Sequence, residues 1–146
     1  RVGVVFQDPN FQLFSPTVED ELAFGPENLC LPETEIDRRI TGALEAVQLS
    51  SLRREDPGSL SQGQKQLVAL ASILTLQPQI LILDEIFAPL DPVATALVKA
   101  VIEEQKNKGH AVLLVDHNPD LVLADRIYKM EDGHVWEVSY DRNSAL

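Results

Sequence analysis

The sequence predicts an α/β domain: a mainly parallel sheet flanked by helices, with a helical subdomain and a C-terminal β-hairpin. Three observations predict it. Short unbroken apolar runs at residues 2–6, 80–83 and 111–115 have strand rather than helix length. Longer stretches between them repeat their apolar residues at helical spacing. Near the C-terminus, Asp132-Gly133 separates two further strand-like runs and marks a tight hairpin. Strands that alternate with helices in this order form parallel sheets.

Each element has its own signal. Val2, Gly3, Val4, Val5 and Phe6 read as a buried strand, ended by the turn-forming Gln7-Asp8-Pro9-Asn10. A helix is expected from about 17 to 24, ahead of Gly25-Pro26. From Thr34 to Gln48, Ile36, Ile40, Leu44 and Val47 share one helical face, with Thr34 as N-cap and Asp37 in the capping-box position. Ser61 caps a helix running to about Leu76, with Leu67, Leu70, Ala71 and Leu74 on its inner face, and Pro78 bars its continuation. Ile80–Leu83, bounded by Pro78 and followed by two carboxylates, predicts a strand buried on both faces of a parallel sheet. Asp91-Pro92 opens the next helix, whose core face is Ala94, Leu97, Val98, Val101 and Ile102; Lys106 and Lys108 suit its C-terminal dipole and Gly109 is placed to cap it. Ala111–Val115 is a second buried strand, and residues 127–130 and 135–138 flank the hairpin turn.

Composition narrows the function. With 146 residues and 45% apolar content, the chain suits one domain with a substantial core. It is read as a single unit, residues 1–146, in which about 11–77 form a helical region and 1–10 with 78–146 form the sheet region. The single cysteine, Cys30, excludes an internal disulfide and fits a reducing compartment. No signal-peptide pattern and no apolar run of membrane-spanning length occurs. A net charge of −11 argues against a broad nucleic-acid surface, which needs many Lys and Arg. Arg1 stands inside a strand-like apolar run with no preceding helix, so a segment ahead of it is expected to be missing.

The chemistry centres on Asp84-Glu85. A strand of an open α/β sheet delivers ligand-binding groups at its C-terminal end. Two adjacent carboxylates there call for a cation. An apolar strand ending in Asp is the Walker B pattern, in which the aspartate supports the magnesium that bridges nucleotide phosphates, and the following Glu85 can orient or deprotonate water. Upstream, Leu60-Ser61-Gln62-Gly63-Gln64 opens a helix at its positive end, which suits an anion.

Leu60–Gln64 resembles the LSGGQ signature of ATP-binding cassette ATPases, with Gln62 in place of the first glycine. Gln7 resembles the Q-loop glutamine, Asp84 and Glu85 the Walker B pair, Leu90-Asp91 the end of the D-loop, and His117 the switch histidine. Residues 5–28, from Val5-Phe6-Gln7-Asp8-Pro9 to Gly25-Pro26-Glu27-Asn28, look like the Q-loop region of the energy-coupling-factor subfamily of cobalt, nickel and vitamin importers. The resemblance implies a partial P-loop NTPase fold and an ATP-hydrolysing motor subunit on the cytoplasmic face of the membrane, with ATP and Mg2+ as cofactors.

It further implies a head-to-tail dimer with a second ATPase subunit, alike or different, in which Ser61, Gly63, Gln64 and Asp91 act on nucleotide. Asp84 and Gln7 would serve the metal, and Glu85, Gln7 and His117 the lytic water and γ-phosphate. A transmembrane subunit would dock near Phe11, Leu13, Phe14 and Phe24; the alternative is that these residues fill the core of the helical region.

Three departures stand out. No GxxxxGK[ST] occurs, so the chain is not expected to hydrolyse ATP unaided. Ile86-Phe87-Ala88-Pro89 replaces the usual Pro-Thr and small D-loop residues, and Gln62 replaces a glycine. Two alternatives stay open: a regulatory cassette that binds ATP but hydrolyses it poorly, and a DNA-repair or chromosome-maintenance ATPase of the same signature chemistry.

Overall fold

The computed structural model describes residues 1–117 and 123–138. Its elements in order are β1 (Val2–Val5), α1 (Val18–Asn28), α2 (Glu33–Ala46), α3 (Gln62–Thr75), β2 (Ile80–Asp84), α4 (Pro92–Asn107), β3 (Ala111–Val115), β4 (Ile127–Glu131) and β5 (His134–Val138). Strands β1, β2 and β3 pair in parallel in that order, with Val2 opposite Ile80 and Ile80 opposite Ala111. Strands β4 and β5 form a separate antiparallel hairpin. The α/β class with parallel strands and a terminal hairpin is therefore the observed one; the ends of the expected sheet region, 118–122 and 139–146, lie outside the described residues.

Helix α3 is the centre of packing. Gln66, Leu67, Val68, Ala69, Leu70, Ala71 and Thr75 are all buried along it, against α1, α2 and β1. Leu22, Val18, Ile40, Leu44 and Val47 complete this core from α1 and the end of α2. Each such side chain contributes roughly 1.5–3 kcal/mol by leaving water. Gly3 is required where α3 crosses β1: a Cβ there would stand 2.3 Å from Ile73 Cγ2.

Several local expectations are corrected. Helix α1 does not stop before Gly25-Pro26 but runs through them to Asn28. Pro26 has no N–H to give the carbonyl four residues back, that of Leu22. Thr75 Oγ1 of α3 lies 3.1 Å from that carbonyl and shares its one proton between it and the Ser72 carbonyl at 2.7 Å, so the gap at the proline is met in part from α3. Helix α2 begins at Glu33 after Pro32, with no side-chain cap; Thr34 is not its N-cap, and the Asp37 carboxylate accepts from Arg53 Nη2 at 2.5 Å rather than closing a capping box.

Among the described residues the sheet is covered on one face. Val5, Leu81 and Leu83 are fully buried, and Val112 and Leu114 pack against the same core, whereas Val2, Ile80, Leu113 and Val115 are exposed on the other side. Helices α3 and α4 pack on the Gly3, Leu81 and Val112 side of the sheet.

The remaining signals stand. Asp91 Oδ1 caps α4 through the Ala94 N–H at 2.8 Å, and Gly109, with φ +78°, closes it through Lys106. Asp132 and Gly133 carry φ values of 49° and 78° at the hairpin turn, the pair of left-handed residues that a tight two-residue turn needs.

Candidate functional site

Three chain segments separated widely in sequence meet at the C-terminal edge of the parallel sheet. The register carries them there: β1 ends at Val5, opposite Leu83, and Asp84 lies opposite Val115. One or two residues past these strand ends stand Gln7, Glu85 and His117. Gln7 Nε2 donates to Glu85 Oε2. His117 Nε2 meets Glu85 Oε1 at 2.8 Å. Both oxygens of the carboxylate are thus engaged, one by each neighbour.

Glu85 itself is held by its backbone. It has φ +45°, in the left-handed region disfavoured for any residue with a Cβ, and its N–H donates to the Val115 carbonyl at 2.8 Å. The turn out of β2 therefore swings the side chain away from the strand direction, toward Gln7 and His117. An unfavourable backbone at such a point costs roughly 1–2 kcal/mol and persists where surrounding contacts impose it. The next residue, Ile86, is fully buried, and Phe87 packs partly against the core. The departure Ile86-Phe87 thus has a packing reason.

Gln7 is held by two other glutamines that sequence reasoning missed. Gln12 Oε1 accepts from the Phe6 N–H at 3.2 Å and its Nε2 donates to the Val4 carbonyl at 3.1 Å. Gln66, fully buried in α3, donates from Nε2 to the Phe6 carbonyl at 2.9 Å. Lys65 Nζ reaches Asn10 Oδ1 at 3.1 Å. The available signal for Gln66 was its place beside Leu67 and Leu70 on the inner face of α3; an amide on an apolar face must bond to something.

The Ser61 segment is built differently. Ser61 Oγ accepts from the Gln64 N–H at 3.2 Å, and Gln64 Oε1 accepts from the Ser61 N–H at 2.9 Å, a complete capping box. These two expected ligand residues satisfy each other in this structure. Gly63 faces the turn after β2, where an added Cβ would lie 3.2 Å from the Pro89 carbonyl oxygen. Asp91 is the cap of α4. The structure thus brings Gln7, Glu85 and His117 together, and sets Ser61, Gly63, Gln64 and Asp91 apart from them.

The aromatic segment after Gln7 is on the surface. Phe11 is 88% exposed, and Phe14 and Phe24 are also exposed, their rings meeting edge to face at 4.8 Å. Leu13 alone packs partly against the core. The core-filling alternative therefore fails for the three phenylalanines. Glu21, 5% exposed, fixes this segment by accepting from the N–H groups of Phe14 and Ser15 at 3.0 and 2.9 Å.

Among the described residues no group of three His, Cys, Asp or Glu side chains forms a self-sufficient metal site. The oxygen donors at the edge of β2, the Asp84 carboxylate and the Gln7 amide oxygen, suit a hard cation that keeps most of its ligands from water or phosphate. No helix of the described residues is long and apolar enough to cross a membrane.

Comparison with known proteins gives the family. The chain is 43% identical over 136 residues to the energy-coupling factor transporter ATP-binding protein EcfA of Methanocaldococcus jannaschii, covering 92% of the chain and 49% of that protein. It is likewise 43% identical over 136 residues to the cobalt import ATP-binding protein CbiO of Syntrophus aciditrophicus, with the same coverage, 92% and 49%. The chain spans about half the length of these curated relatives. The solved structure of CbiO1 from Clostridium perfringens, part of the ABC transporter complex CbiONQ, superposes with a TM-score of 0.82 at 37% identity, over 92% of this chain and 55% of that one. The ABC transporter family matches residues 1–88, more than half of the sequence, and the chain belongs to that family.

Proposed function

We propose that the polypeptide carrying this chain is the ATP-hydrolysing motor of an energy-coupling-factor importer, lying against the cytoplasmic face of the membrane. The observation that carries the reading is the convergence of Gln7, Glu85 and His117 on one carboxylate at the C-terminal edge of the sheet. Relatives named as energy-coupling-factor and cobalt-import ATP-binding proteins support the subfamily.

In this reading Glu85 accepts a hydrogen bond from the attacking water and draws off its proton, and the two groups on its oxygens aim it. His117, 90% exposed, is free to turn from Glu85 to a phosphate oxygen. Magnesium, when bound with ATP, neutralises charge developing between the terminal phosphates; Asp84 and the Gln7 amide oxygen would hold it. Ser61, Gly63 and Gln64 present the start of α3 to the nucleotide of a second ATPase subunit, and Asp91 fixes the turn that packs on Gly63. Phe11, Phe14 and Phe24, with Leu13 beneath them, receive the transmembrane subunit. The chain has no GxxxxGK[ST], so its residues alone are expected to give no turnover.

The test is ATP turnover by the polypeptide that carries this chain, reconstituted with its membrane subunit, for wild type and Glu85→Gln. Turnover is expected to fall by at least about a hundredfold while ATP binding survives. A wild type that binds ATP without any turnover sensitive to Glu85 assigns the chain to a regulatory cassette instead.

A further inference from the structure

Gln66 is hard to explain as part of the core. It is fully buried, its Nε2 donates to the Phe6 carbonyl at 2.9 Å, and its Oε1 has no hydrogen-bond partner among the described residues. A buried acceptor left without a donor lowers stability, and an apolar side chain of the same length would avoid that cost. The bond that the amide makes is through its donor end.

That end acts on one peptide group. The β1 ladder stops at Val5, so Phe6 has no strand partner for its backbone. Its N–H is taken by Gln12 Oε1 and its C=O by Gln66 Nε2. The carbonyl belongs to the peptide bond that leads into Gln7, and fixing that plane fixes the direction in which Gln7 leaves the sheet. Gln7 Nε2 then reaches Glu85 Oε2. Lys65, next to Gln66 on α3, ties the same loop at Asn10.

We infer that Gln66 is a positioning residue for ATP hydrolysis: through the Phe6 carbonyl it aims Gln7 at Glu85 and ties that glutamine to the helix that begins at Ser61. The inference rests on the proposed roles of Gln7 and Glu85. It predicts that any movement of α3 is passed directly to the group that orients the lytic carboxylate.

The experiment is a double-mutant cycle on the polypeptide carrying this chain, reconstituted with its membrane subunit, with ATP turnover, KM and melting temperature measured for each form. Gln66→Met keeps the length and burial and removes the donor. It is expected to lower kcat by roughly tenfold to a hundredfold, the scale of a small misplacement of a catalytic group, with KM for ATP unchanged. In a Gln7→Ala background the same substitution is expected to lower kcat no further, because two residues acting as one unit are not additive. Should Gln66→Met fail to assemble, Gln66→Asn, whose shorter arm withdraws the amide while keeping it polar, takes its place in the cycle. An equal loss of kcat in both backgrounds overturns the inference and leaves a packing role. If Gln7→Ala alone turns over at the wild-type rate, the reading of the Gln7 cluster fails, and the inference with it.

Discussion

The start of α3 and the cluster around Glu85 lie in one domain but are held by different kinds of contact. At Ser61 every stabilising bond is local: residues three apart cap one another, and the helix would carry this geometry into any fold. At Glu85 the side chain has no local partner among the described residues. Gln7 and His117 arrive from the ends of two other strands, and the glutamate has a left-handed backbone with its N–H bonded to the Val115 carbonyl. A capping box can be read from four letters, whereas a convergence of strand ends exists only once the sheet is in register. The difference predicts that damage to sheet packing disturbs the Glu85 cluster first and the Ser61 box last.

The largest effect is expected at Gly3, where sheet and helix meet. Ala at this position would put its Cβ 2.3 Å from Ile73 Cγ2, a group carried on a branched Cβ that has no freedom to swing aside, and 3.3 Å from Pro78. Gly3→Ala should cost about 1–3 kcal/mol in denaturant unfolding, as overpacked cores do. A loss below a few tenths of a kcal/mol would show that the helix adjusts freely against β1, and the contrast with Ser61 would weaken.

Next comes the backbone of Glu85. Glycine tolerates φ +45° and alanine does not. Glu85→Gly should therefore be more stable than Glu85→Ala by about 1 kcal/mol, although both lose the carboxylate. Equal stabilities would mean that the turn relaxes once the side chain is gone, so that Gln7 and His117, rather than the bond to Val115, impose the conformation.

Ser61→Ala is the local counterpart. Losing the cap should cost about 1 kcal/mol, and Gln64→Ala less, since the Ser61 hydroxyl would still serve the residue 64 N–H. The two together should fall short of the sum of the singles, the sign of one reciprocal unit. Strict additivity measured by thermal melting would argue that the two bonds of the box form independently.

What was legible in the sequence follows the same division. Ser61 as a helix cap, Asp91 before Pro92, Gly109 and Asp132-Gly133 are short-range signals and behave as read. The Gly25-Pro26 reading failed because the missing donor is replaced in part from α3 by Thr75, fifty residues away in the chain and invisible to any local rule. Thr34 and Asp37 failed for the related reason that Arg53 competes for the aspartate. Of the site, Glu85 was legible at the end of its strand, and Gln7 and His117 only through the resemblance to the family. Gln12 and Gln66, which bond the backbone of Phe6 just before Gln7, were not, since a glutamine carries no motif and shows its purpose only by the backbone groups it meets.

The smallest expected effect tests a contact that is local and electrostatic. On α2, Glu35 accepts from Arg38 and Arg39 at 2.7 Å each, at spacings of three and four residues. The hydrogen bonds from Arg38, then Arg39, hold its carboxyl well below the ordinary value of 4.5, at about 2. A group with a depressed folded pKa contributes stability that is fully present above its unfolded value and is lost as pH falls through the folded one. The window is thus pH 4.5 down to about 2. Because the pair lies near the surface, solvent screens it and the contribution is modest. Glu35→Gln should therefore lower stability slightly at pH 6 and narrow its gap to wild type as the pH approaches 2. Arg39 also donates to the Thr75 carbonyl at 3.0 Å, so part of what Glu35 does is to hold that arginine across to α3. If the gap between the two proteins stays constant through the acid range, Glu35 acts by orienting Arg39 and not by its charge, and even this local contact serves the long-range packing.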